Sequence, residues 1–138
     1  MKDHARRIVE GLEQIPDVVA KDMPSRSRYK IMSRAGVLWN RESREDDPKW
    51  GNVHYESNHV LIALDYPKGH FTEEEVSQLL KLPIRKSRER KTGIHIFLGA
   101  STSPYDSLRI KLYEADAKDE PMIGRLLQFA DDLYRLSS

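Results

Sequence analysis

The sequence predicts an α+β domain built on a mostly antiparallel sheet, and three observations carry that reading. Val60 to Leu64 and the segment "GIHIFLGAS" are continuously apolar over strand length, the pattern of strands covered on both faces. "SLRIKLYEA" alternates instead, with Leu108, Ile110 and Leu112 on one side and Arg109, Lys111 and Tyr113 on the other. Apolar residues at helical spacing occur near both ends of the chain and once between the strands. The expected order is α-β-β-β-α-β-β-α, about five strands and three helices in one domain spanning 1–138.

Ala5, Ile8, Val9, Leu12 and Ile15 define the first helix, with Asp3 near its start and Pro16 at its end. "VVAKDMPSRSR" shows no clear period and reads as a connector. Tyr29 to Trp39 alternates as extended chain, with a bulge expected near Ala35 and Gly36. "NRESREDDPK" has no apolar side chain and reads as an exposed loop. A hairpin turning at Glu56-Ser57-Asn58 follows. "TEEEVSQLL" carries a capping box, Thr72 with Glu75, and Pro83 stops that helix. Pro121 sits in the first turn of the last helix, where its missing N–H costs little. Met122, Ile123, Leu126, Leu127, Ala130, Leu133 and Tyr134 give this helix a wide apolar stripe, fit for a core or for a homodimer.

Composition narrows the function classes. Basic and acidic residues nearly cancel, 23 against 22, so the distribution of charge matters more than its sum. Apolar residues make up 38% and charged residues 33%, which implies a modest core under a charged surface. The absence of cysteine removes disulfides, thiolate metal sites and thiol nucleophiles, and fits a reducing compartment. The charged start, with Asp3, Glu10 and Glu13 among its arginines, suits neither a signal nor a transit peptide. A cytoplasmic protein without membrane association or cofactor is expected.

Three basic segments stand out. Arg85, Lys86, Arg88, Arg90 and Lys91 lie between a helix and a strand, Arg26, Arg28 and Lys30 precede the first strand, and Arg109 and Lys111 share one strand face. If the fold brings them together, they form the kind of field that binds phosphates, with Tyr29 placed to stack on a base. A non-catalytic module for nucleic acid or a nucleotide is the leading expectation. The alternative is a protein-interaction or inhibitory module, in which Trp39 and Trp50 bracket the charged loop 40–50 and Arg41 and Arg44 join the contact. His54, His59, His70 and Asp65 match no established metal-ligand spacing, and no metal is expected.

A third reading comes from "VLIALDYPKG", which distantly resembles the acid- and lysine-bearing strand of restriction-endonuclease-like folds. That resemblance implies a magnesium-dependent nuclease using Asp65 and Lys68, with Glu56, Glu10 or Glu13 as the further acid. The sequence departs from the pattern where two residues, not one, separate Asp65 from Lys68, and where Pro67 interrupts the strand.

Overall fold

The computed structural model describes residues 1–34, 37–38, 41–42, 48–86 and 88–136. Its strands are β1 (Val18–Met23), β2 (Arg28–Ser33), β3 (Val37–Leu38), β4 (Arg41–Glu42), β5 (Lys49–Tyr55), β6 (His59–Pro67), β7 (Gly93–Phe97) and β8 (Tyr105–Tyr113). The helices are α1 (Lys2–Leu12), α2 (Glu73–Leu80), α3 (Glu114–Ala117) and α4 (Glu120–Arg135). Six strands form one antiparallel sheet in the order β1-β2-β5-β6-β8-β7, while β3 and β4 pair separately. The α+β class and its antiparallel sheet are as the sequence predicts. None of the described helices is long and apolar enough to cross a membrane.

Helix signals act where the sequence places them. Thr72 Oγ1 accepts from Glu75 N at 3.2 Å, and Glu75 Oε1 accepts from Thr72 N at 3.1 Å, closing the capping box of α2. Asp119 caps α4 by accepting from Met122 N at 3.2 Å, with Pro121 in the first turn. The apolar stripes of α1, α2 and α4 all face the same side of the sheet. There Ile8, Leu12, Val76, Leu80, Leu126 and Leu133 meet Ile31, Val53, Ile62, Leu64, Ile94 and Ile110 in one buried cluster.

Two features of the sheet were not legible in the sequence. β1 occupies the segment expected to be a connector; as an edge strand, with Lys21 and Asp22 exposed, it has only weak alternation. A register shift between β2 and β5 leaves Trp50 as the extra residue: Gly51 pairs with Ile31, and Lys49 with Met32. Trp50 therefore turns to the helix layer, fully buried, with its ring 5.3 Å from that of Tyr134. Gly51 has to be glycine here, since a Cβ would lie 2.6 Å from the Ala63 carbonyl oxygen.

The expectation that "VLIAL" and "GIHIFLGAS" are covered on both faces is corrected. β6 is central, yet Leu61 and Ala63 point away from the helices, level with His54 and Lys111 and with Asn52 and Arg109. The long stems of such neighbours cover apolar surface without a second layer. β7 is an edge strand whose outer backbone groups are occupied. Ile94 N donates to Pro83 O at 2.8 Å, Arg85 N to Ile94 O at 2.9 Å, and Ile96 N to Glu73 Oε1 at 3.1 Å.

Candidate nucleic-acid interface on the open sheet face

Alternation along six strands sends every second side chain to the face opposite the helices, and the register aligns these side chains in rows. One row reads Lys21, Lys30, Asn52, Ala63, Arg109, His95 from β1 to β7. The adjacent row reads Met23, Arg28, His54, Leu61, Lys111, Gly93. Lys49 joins them beyond the bulge, opposite Met32. Asp65 is the one carboxylate on the outward positions of the described six-stranded sheet.

Arg85 reaches this face from the loop before β7. Gly93 leaves a gap in its row, and a Cβ there would lie 3.3 Å from Arg85 Cβ. The Arg85 Nε donates to the Gly93 carbonyl at 3.3 Å and Nη1 to that of Lys86 at 3.3 Å, which folds the side chain over the strand. Its residual exposure is 5%.

His54, Lys49 and His59 respond to burial and to these charges together. Burial lowers the proton affinity of His54, and Arg28, Arg109 and Lys49 lower it further against Glu56. Burial likewise lowers that of Lys49, with Arg28, Lys30 and Arg109 adding to it against Asp65. For His59 burial acts first, then Lys111 and Arg85 against Glu56. Cations from β2, β5, β8 and the loop before β7 therefore act on shared neighbours. Arg28 Nε and Asn52 Oδ1 add a further feature: both are closed to solvent and have no hydrogen-bond partner among the described residues.

Aromatic rings flank these cations. Phe97 projects from β7 with 55% of its surface exposed, and the Arg109 guanidinium lies 5.5 Å from its ring centre. Leu98 beside it is 72% exposed. The Lys111 ammonium stands 5.8 Å from the Tyr113 ring, which is 5.7 Å from that of His59.

Of the residues singled out from sequence, Arg28, Lys30, Arg85, Arg109 and Lys111 come together here. Lys86, Arg88, Arg90 and Lys91 remain on the exposed loop, where Glu89 accepts from Lys86 N at 2.8 Å and meets Lys91 at 3.2 Å. Arg26 lies on the exposed turn Pro24–Arg26. Tyr29 is a correction: it faces the helix layer, buried, with its ring 5.9 Å from Tyr55, because its parity on β2 is opposite to that of Arg28 and Lys30. Lys49, Lys21, His54 and Phe97 were missed. The bulge hides the parity of β5, and an unbroken apolar run conceals that Phe97 and Leu98 face solvent.

The other readings fare differently. Trp50 is no surface anchor, since it is sealed beneath α4; Trp39 and Arg44 lie outside the described residues, as does the side chain of Arg41 on β4. The nuclease geometry is not formed among the described residues. Glu56 adjoins His59 at one end of β6 and Asp65 lies near the other, about 20 Å away at ~3.4 Å per residue. Glu10 and Glu13 belong to the helix layer, and Lys68 is held 3.2 Å from Asp106. No group of three or more histidine and carboxylate side chains suited to a metal ion occurs among the described residues. An apolar groove of about 300 Å³ opens between α2 and α4, lined by Phe71, Leu79, Phe129 and Leu136, away from the cations of the sheet.

Comparison of the chain with protein-family models, with curated proteins and with solved structures found no match.

Proposed function

We propose that this protein is a cytoplasmic, non-catalytic module that binds a polyanionic partner of nucleic-acid type on the open face of its sheet. The observation that carries the reading is the register, which puts Lys30 and Arg109 in one row and Arg28 and Lys111 in the next. Arg85 and Lys49 extend the cluster: beyond the effect of burial, Lys49 lowers the proton affinity of His54 and Arg85 that of His59. Such a field attracts phosphates and gains free energy by releasing their counterions.

Fluorescence anisotropy with a labelled oligonucleotide at a series of salt concentrations tests it. Six cations imply a slope of log K against log salt of up to about −4 for a single strand. The triple variant Lys30→Glu, Arg109→Glu, Lys111→Glu, folded by circular dichroism, is expected to abolish binding. Binding that ignores salt or survives the reversals overturns the proposal, as does its absence at low salt.

A further inference from the structure

We infer that the partner is an unpaired nucleic-acid strand whose bases stack on the ring of Phe97, while its phosphates lie over the cations of β2, β5 and β8. This rests on the polyanion reading and names its ligand class.

Extent comes first. Phe97 is in register with Ser107, and Tyr113 lies six residues further along β8, so the two rings stand about 20 Å apart at ~3.4 Å per residue. Lys30 and Arg109 are separated by three strand spacings, about 14 Å. A single nucleotide cannot engage both rings and both cation clusters; a strand of several can.

The rings then separate a single strand from a duplex. A phenyl ring and a guanidinium offer flat faces that stack on any base, and the faces of duplex bases are closed by their neighbours. Phe97 keeps 55% of its surface exposed while packed beside Arg109, so the pair forms a stacking station ready in the free protein. The Arg109 Nε donates to Ser107 Oγ at 3.0 Å, which fixes the guanidinium there. An acidic peptide without aromatic side chains would use the cations but bring no flat face to stack on the exposed ring beside them. Arg28 Nε and Asn52 Oδ1 have no hydrogen-bond partner among the described residues, and Asn52 is 91% buried in the middle of the Lys30–Arg109 row. A ligand that offers an acceptor to the first and a donor to the second gains free energy there.

The test compares three probes of equal length by anisotropy: a base-bearing single strand, the same strand with abasic sites, and the duplex. The base-bearing strand is expected to bind about tenfold more tightly than the abasic one, the effect of stacking one or two bases. Phe97→Ala should reduce its affinity to the abasic level, and Phe97→Leu, which keeps an apolar side chain there, should do the same. Equal affinity for base-bearing and abasic strands, tighter binding of the duplex, or no loss in either variant overturns the inference while salt-dependent binding leaves the polyanion reading standing. Failure of all three probes to bind at low salt removes both.

Discussion

Lys30 on β2 and Arg109 on β8 stand in one row of the sheet, with Asn52 and Ala63 between them. They are 79 positions apart in the chain (109 less 30), and neither is placed by local sequence relative to the other. The hairpin at Glu56 to Asn58 fixes β5 against β6, and nine residue pairs fix β6 against β8, so the row is set by backbone pairing. Like charges held on such a lattice repel: two unit charges about 7 Å apart cost roughly 0.6 kcal/mol in water and about 2 kcal/mol at an effective dielectric of 20. Among the described residues Asp65 is the one carboxylate on the outward strand positions, so a bound anion would relieve this repulsion.

Asp106 should prove one of the most costly polar residues to alter. Its carboxylate, 2% exposed, accepts from Gly69 N and Gly99 N at 3.0 Å each and from Lys68 Nζ at 3.2 Å, tying together the loops that follow β6 and β7. In Asp106→Asn one backbone N–H faces an amide NH₂, and Lys68 loses its counter-charge. Denaturant unfolding is expected to show a loss of about 3 kcal/mol. A loss within 0.5 kcal/mol would mean that this network contributes little.

The same carboxylate makes stability depend on acid. Burial alone would raise its proton affinity, but the Gly69 and Gly99 N–H groups and Lys68 outweigh that, and the folded value is lowered. A depressed carboxylate contributes stability in full above its unfolded pKa, about 3.9, and loses it as pH falls through the lower folded value. The gap in unfolding free energy between the unaltered protein and Asp106→Asn should therefore be constant above about pH 5 and shrink below about pH 4. A gap that does not change with pH contradicts the assignment.

Trp50 offers a test of the core. Trp50→Ala, at a fully buried ring packed on Tyr134, should cost about 3–5 kcal/mol and lower the thermal midpoint by about 9–15 °C at roughly 3 °C per kcal/mol. A surface anchor would change stability by less than about 0.5 kcal/mol.

Trp50 also shows where sequence reading ended. α2 and α4 were legible because a capping box, a proline and a 3.6-residue period are local signals. β8 was legible because its two faces differ in chemistry along the whole strand. The tryptophan is misplaced because a one-residue bulge at Trp50-Gly51 inverts parity, and the close Ala63 carbonyl that requires glycine at 51 comes from another strand. The same limit separates Arg28 and Lys30 from Tyr29: the three are adjacent in sequence, and only pairing with β5 and burial under α1 decide which face each one takes. That Arg28, Lys30, Arg109 and Lys111 share one face depends on strand order, which no local pattern encodes.

His54 reports directly on the field and on its ligand. Burial, then Arg28, Arg109 and Lys49, hold its proton affinity below that of a free histidine. Removing one of these charges in Arg109→Gln should raise the His54 pKa measured by NMR titration, and so should added salt, which screens the remaining cations. A bound polyanion opposes the same cations and must raise it further. Binding then takes up protons in the pH range between the lowered free value and the bound value, so affinity should increase as pH falls through that range. His54→Gln, which keeps a polar side chain but cannot gain charge, should flatten that dependence without removing binding. An affinity that rises with pH, or a His54 pKa that does not move in Arg109→Gln, would show that the histidine lies outside the field.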